Sequence, residues 1–424
     1  MSSRLRTALA AVVMAMAGMA SAALAGEPEW VRQFGVKPGP MAQIEALGVA
    51  TGPQGRVHVA GWVRGAFYGP PKGYDDAFAI TFDGDGTELW RRQPGTGWGD
   101  QAYAVATDVA GNVYSVGTVY SEGPGHVADL NASVIAFDAD GRILWRRQPG
   151  TTEFQEGHGV ATGADGGLYV VGETQDGFAG TFKGYVDAFV IKYDLDGRIL
   201  WKRQPGSTEL DRAWAVATHS DGSVYVAGEA DGSLGGTYKG VQDAFLIKYD
   251  RDGHTLWKRQ PGSPGYDGAS GVATDADGNV YVAGTTTGWL GGPSQGNTDA
   301  FLLKYDRDGR TIWRKQPGTP AEEYATSVAT DADSNVYLVG STRGALAGDF
   351  KGKIDAFVIK YDRDGQIVWQ DQPGTDEGGL ATSVATDADG NVYVTGGTGG
   401  VLPGCIETCT PGAFLIKYGP DGPQ

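Results

Sequence analysis

The segment KYDLDGRILWKRQPG, Lys192 to Gly206, decides the fold because the chain keeps repeating it. It returns as KYDRDGHTLWKRQPG from Lys248, KYDRDGRTIWRKQPG from Lys304 and KYDRDGQIVWQDQPG from Lys360. In each copy an Asp-Gly pair separates two apolar runs, which is a strong hairpin signal. The tryptophans at its centre are Trp30, Trp90, Trp145, Trp201, Trp257, Trp313 and Trp369, spaced 60, 55, 56, 56, 56 and 56 residues apart. A fixed period of this length points to a repeat architecture.

Three further segments recur with the same period. A VAT segment begins at Val49, Val105, Val160, Val216, Val272, Val328 and Val384. A VYVAG-like run begins at Val57, Val113, Leu168, Val224, Val280, Val336 and Val392, and a DAFVIKY-like run follows each of them. Four short runs rich in Val, Ile, Tyr, Phe and Trp, punctuated by Gly, Asp and Pro, read as four antiparallel strands. Seven such units predict an all-β, seven-bladed β-propeller of four-stranded blades. The chain enters in mid-repeat with a Trp strand and ends on AFLIKY, Ala413 to Tyr418. Pairing these N- and C-terminal strands would complete the last blade and close the ring.

Residues 1–25 have the parts of an export signal: Arg4 and Arg6, an apolar run from Leu9 to Met19, and Ala23-Leu24-Ala25 ahead of Gly26. The expected product is one propeller domain over 26–424, exported and periplasmic, cell-surface or secreted. The apolar run is too short to span a bilayer comfortably. A formal charge of −17 argues against nucleic acid or an anionic membrane as partner. A monomer that does not span the membrane is the expected state. Cys405 and Cys409 are the only cysteines, and in an oxidising compartment they read as a local disulfide.

The unit AFxIKYDxDGxxxWxxQPG…VATDxxGNVYVAG resembles the SBBP-type bacterial beta-propeller repeat and covers essentially all of 26–424. Its YDxDGxxxW half is also similar to the tryptophan-docking motif of quinoprotein propellers. Those proteins usually have eight blades and a vicinal cysteine pair at the cofactor, features this chain lacks, so quinone chemistry is not carried over. The resemblance implies a fold and an exported setting, and no particular activity.

By the same analogy the VAT strand is A, the innermost, followed outward by B (VYVAG), C (DAFVIKY) and D (Trp). The A–B and C–D turns then share one face, and the long B–C and D–A loops share the other. Binding residues on rigid scaffolds concentrate on such loops. Positions that recur in every blade serve the blade, and the paired cations after each Trp read as charges guarding an outer strand edge. Positions that differ are the candidates. Two residues before VAT stand Leu47, Tyr103, His158, Trp214, Ser270, Thr326 and Thr382, an aromatic arc facing an arc of small residues. Asp100, Asp211, Asp267 and Glu323 place acids three residues upstream of that position, and Trp289 lies in a B–C loop. Tyr103, His158, Trp214, the four acids and Trp289 form the candidate ligand-binding set.

No cofactor or metal is expected. Calcium is the one ion the recurrent DxDG invites, yet an EF-hand loop needs more ligands and a bidentate Glu. An Asp accepting N–H groups in a turn accounts for the pattern. The one G-x-S-x-G match, Gly292 to Gly296, lies in a Gly/Pro-rich loop rather than at a strand-to-helix elbow, and the five histidines show no ligand-like pairing. The expected function is therefore non-enzymatic recognition of a glycan, peptide or envelope protein through the long-loop face. The alternatives are a passive structural envelope protein, or a polysaccharide hydrolase or lyase using loop carboxylates.

Overall fold

The computed structural model describes residues 27–36, 42–122, 128–150, 153–406 and 409–423. The expected export signal, residues 1–25, lies outside them. Among the described residues twenty-eight strands form seven four-stranded antiparallel sheets arranged as blades. Blade 4 is representative: A (Asp211–Thr218), B (Val224–Ala230), C (Asp243–Tyr249) and D (Thr255–Arg259) follow one another outward. The A strands of neighbouring blades contact one another around the ring, so A is innermost. B and C are buried almost throughout, because each is covered on both faces by adjacent blades.

Blade 7 is composite. Trp30–Phe34 pairs antiparallel with Gly412–Tyr418 and supplies the outermost strand. The loop carrying the Cys405–Cys409 disulfide lies against this strand, with Ile406 N–H donating to the Val31 carbonyl. Gln33 donates to Gly400 O and accepts from Leu402 N–H. Ends far apart in sequence thus close the ring.

The recurring residues clasp blade to blade. Trp145 Nε1 donates to Leu195 O of the next blade's C–D turn, and Trp201, Trp257 and Trp313 repeat the bond fifty residues on. Trp145, Trp201 and Trp369 each rest between two tyrosines, as Trp201 does between Tyr169 and Tyr249, whereas Trp90 lies between His58 and Phe137. The Trp edge lies where a Cβ on the next turn's glycine would sit, as at Gly197 and Gly253, whose φ values are +78° and +79°. Glycine is needed there for both reasons.

The cations after Trp do more than guard an edge. Arg147, Arg203 and Arg259 donate to Gly197 O, Gly253 O and Gly309 O of the following blade, and Lys202 and Lys258 reach carbonyls of their own blade's B–C loop. At the channel, Thr218 Oγ1 donates to Thr162 O and Thr274 Oγ1 to Thr218 O, and Thr51 to Thr386 O carries the pattern across the closing seam. The Thr of VAT is thereby an inter-blade latch in every blade but the second, where Thr107 Oγ1 is buried without an acceptor. The turn aspartates accept backbone N–H groups, as Asp250 does from Asp252 and His254.

Candidate functional site

Every A strand carries a β-bulge at the same place. The register against strand B skips one residue between Ala102 and Ala104, Gly157 and Gly159, Ala213 and Ala215, and at the equivalent point in the other four blades. The skipped residues are Leu47, Tyr103, His158, Trp214, Ser270, Thr326 and Thr382. A bulge re-aims the side chain of its extra residue, and all seven line the channel, which holds a cavity of about 260 Å³. The recurring Gly of VYVAG belongs to the same device. At Gly172 or Gly228 a Cβ would collide with the strand A carbonyl of Glu156 or Arg212.

The aromatic arc is assembled as the spacing implies. His158 and Trp214 have ring centroids 4.3 Å apart, and Tyr103 and His158 are 5.8 Å apart. Tyr103 OH donates to Gln101 Oε1 at 2.7 Å, and burial pushes its phenol up to about 12. The opposite arc does different work. Ser270 Oγ donates to Ala325 O, Thr326 Oγ1 to Ala381 O and Thr382 Oγ1 to Ala46 O, each bond crossing to the next blade.

The four upstream acids are placed otherwise than the sequence suggests. Asp100, Asp211, Asp267 and Glu323 are buried, each accepting bonds from the N–H and hydroxyl of a D–A loop residue, namely Thr96, Ser207, Ser263 and Thr319. They point into their own loops and hold them. Asp211 is the exception in one respect: its Oδ1 has no partner, and burial raises the carboxyl to about 6. Trp289 is 79% exposed on its B–C loop and is not brought to the channel.

Sequence reading missed a charged cluster beside the arc. Glu173 on strand B of blade 3 (Gly167–Thr174) stands directly opposite Glu156 of strand A (Gln155–Thr162). His158 Nε2 lies 3.8 Å from Glu156 Oε2 and 3.6 Å from Glu173 Oε1. Arg212 Nε donates to Glu173 Oε2 at 2.7 Å and its Nη1 to Glu229 Oε1 at 3.3 Å, and Tyr266 OH donates to Glu229. Burial pushes Glu156 above the ordinary carboxylate range, and the charge of Glu173 adds to the shift. Burial also pushes Glu173 upward, but His158 and Arg212 outweigh it and leave that carboxyl low. The available signal was cross-strand counting, which pairs residue 156 with residue 173.

A larger cavity, about 590 Å³, opens between blades 7 and 1, lined by Val36, Ile44, Leu47, Leu380 and Thr382 among others. It arises where the repeat is composite, so no single repeat unit encodes it. It is mostly apolar, with Glu45 and Glu377 in its wall, whereas the Glu156–His158–Glu173 cluster lies in blade 3. Leu47 and Thr382 border both cavities.

Together these features define a closed propeller whose loop-bearing face carries the variable chemistry. A family model described as outer membrane protein assembly factor BamB matches residues 75–237 and, overlapping, 130–295, just over half of the chain. The chain belongs to that family of propeller repeats, and a propeller of this kind fits a binding or interaction role. The regulatory protein FlaEY of Caulobacter vibrioides is 28% identical over 210 residues, 44% of this chain and 22% of that protein. An uncharacterized WD repeat-containing protein of Acanthamoeba polyphaga mimivirus is 26% identical over 186 residues, 34% of this chain and 13% of that protein. The matches therefore span about a fifth or less of either relative. Among solved structures, the β-propeller domain of the Trilobed protease from Pyrococcus furiosus aligns over 92% of this chain and 98% of that one. Its TM-score is 0.50 at 9% identity, a likeness of fold alone. No helix among the described residues is long and apolar enough to cross a membrane.

Proposed function

We propose that this chain is an exported, non-enzymatic recognition propeller that engages an envelope protein through its long-loop face, with the Tyr103–His158–Trp214 arc at the centre of the contact. One observation carries the reading. The exposed aromatic residues among those described are Tyr68, Tyr74, Trp98, Tyr120, Phe182, Tyr185, Tyr266, Trp289, Tyr324 and Phe350. All ten lie on B–C loops, D–A loops or the strand ends that meet them; the short-turn face has none. Aromatic side chains are enriched at protein contacts, where they bury large area at low entropic cost.

The loops that bear them are braced. Isolated parallel bridges join Asp75 to Gly99, Val186 to Leu210, Gln242 to Tyr266 and Thr298 to Glu322, tying the B–C loops of blades 1, 3, 4 and 5 to the D–A loop entering the next blade. A preorganised surface loses less entropy on binding. The aromatics spread around a ring rather than lining one slot, which favours a protein partner over a glycan or free peptide. The family model is named for an outer membrane protein assembly factor, and that name, with the resemblance to SBBP repeats, supports an envelope setting. The upstream acids are held by their own D–A loops, which favours recognition over polysaccharide cleavage.

The test is capture from envelope extract on immobilised protein, beside a variant with Tyr103, His158 and Trp214 all changed to Ala. Capture of a defined protein that the triple variant loses supports the reading. Capture that survives moves recognition to the outer loops. Failure to capture anything would leave the passive structural reading in its place.

A further inference from the structure

We propose that Glu156, His158 and Glu173 form a site for one first-row divalent cation, Zn2+ in preference to Mn2+, on the rim of the central channel. Donor atoms of the three side chains all lie within 4.8 Å of one another. His158 Nε2 is buried and makes no hydrogen bond, its nearest carboxylate oxygens standing 3.6 and 3.8 Å away, and the side chain is only 6% exposed. A buried nitrogen left unpaired is costly unless something occupies the space before it. Two metal bonds of about 2.1 Å span roughly 3.6 Å when they meet near 120°, so one ion placed between the imidazole and the carboxylates would bind both kinds of donor.

The cross-strand pairing gives a second, independent argument. Like charges directly opposite on neighbouring strands destabilise a sheet. At the pair occupied by Glu156 and Glu173, the other blades place Glu45 with Trp62, Gln101 with Thr118, Arg212 with Glu229, Gly268 with Thr285, Tyr324 with Ser341 and Leu380 with Gly397. Only blade 3 opposes two acids. Arg212 neutralises one of them from the next blade, and it is shared with Glu229. Three carboxylates against one guanidinium leave a net negative spot where the free imidazole nitrogen points.

Arg212 also acts as the orienting group that metal-binding carboxylates usually have. By holding Glu173 Oε2 it leaves Oε1 turned toward His158. One nitrogen and two carboxylate donors suit a borderline first-row ion rather than Ca2+ or Mg2+, which prefer all-oxygen shells. Further positions on the ion would face the channel cavity, open to water or to an acidic group of a partner. The inference does not depend on partner capture, because an ion titration reads the site alone.

The exposed group Asp250, Asp252 and His254 also comes within metal-binding reach, but Asp250 already accepts two N–H bonds there. It serves as the internal control. Chelator-treated full-length protein would be titrated calorimetrically with ZnCl2, then with MnCl2. The expected result is one equivalent of Zn2+, bound more tightly than Mn2+, with a rise in the wild-type melting temperature. Glu156→Gln, which keeps shape and relieves the like-charge pair, and His158→Ala should each weaken Zn2+ by at least about tenfold. His254→Ala should bind as wild type, and circular dichroism would verify the folding of each variant. Absence of saturable one-to-one binding would overturn the site, as would binding unaffected by Glu156→Gln and His158→Ala.

Discussion

Blades 5 to 7 and blades 2 to 4 treat the same bulge in opposite ways. In the first group the extra residue is Ser270, Thr326 or Thr382, and its hydroxyl is used up bonding a carbonyl of the next blade. In the second it is Tyr103, His158 or Trp214, which cannot make that stitch and present rings to the channel instead. With Leu47 of blade 1 counted, four of the seven bulge positions forgo the inter-blade bond. At about 1 kcal/mol for each bond, the three aromatic positions put different chemistry in its place. The difference separates the part of the ring that holds from the part that presents.

The sharpest way to break this comparison is to give blade 4 the residue of blade 5. Trp214→Ser should fold, with stability changed by less than about 2 kcal/mol because the indole is only half buried. Partner affinity should fall about a hundredfold, the loss expected for a central aromatic anchor. Surface plasmon resonance against the captured partner measures it, and unchanged affinity would show that the aromatic arc is packing.

A second difference between these blades concerns the buried acids. In blades 5 and 6, Thr286 donates to Asp267 Oδ1 and Thr342 to Glu323 Oε1. In blade 4 the cross-strand residue is Ala230, and Asp211 Oδ1 is left bare. Burial, with lesser help from Asp187 and Asp231, then raises the Asp211 carboxyl from 3.8 to about 6. A raised folded-state value means that the native chain binds the proton more tightly. That stabilisation is complete below about pH 4 and is lost as pH rises through about 6. Ala230→Thr supplies the missing donor. It should flatten the pH dependence of unfolding between pH 4 and 6 and add about 1–2 kcal/mol at neutral pH. An unaltered slope in chemical denaturation at several pH values would refute the account.

The architecture was legible because each blade repeats the same local solution. Trp at a 56-residue period, Asp-Gly turns and the truncated first and last units lead directly to seven blades and a composite closure. The aromatic arc was legible too, since one offset from VAT defines the bulge in every repeat. What escaped depended on who sits beside whom. The acids at Asp100, Asp211, Asp267 and Glu323 looked available because sequence spacing does not reveal that the D–A loop folds back onto them. Glu173 stood in no candidate set, and only the hairpin register sets it against Glu156. The cations after Trp read as edge charges, since their acceptors are backbone carbonyls of the next blade or of a distant loop in their own blade.

The gentlest test acts on the holding side. Thr382 Oγ1 donates to Ala46 O at 2.8 Å, across the seam where blade 7 meets blade 1. Thr382→Val keeps the shape and removes the hydroxyl, leaving that carbonyl to whatever water reaches the half-buried site. Stability should fall by about 1 kcal/mol, read as a shift in the denaturation midpoint with no change in slope. Partner affinity and Zn2+ stoichiometry should stay as in wild type, because nothing in the aromatic arc touches this bond. If the loss of one stitch at the seam weakened partner binding as strongly as Trp214→Ser, the two arcs would be acting as one unit. Holding and presenting would then be inseparable properties of the ring.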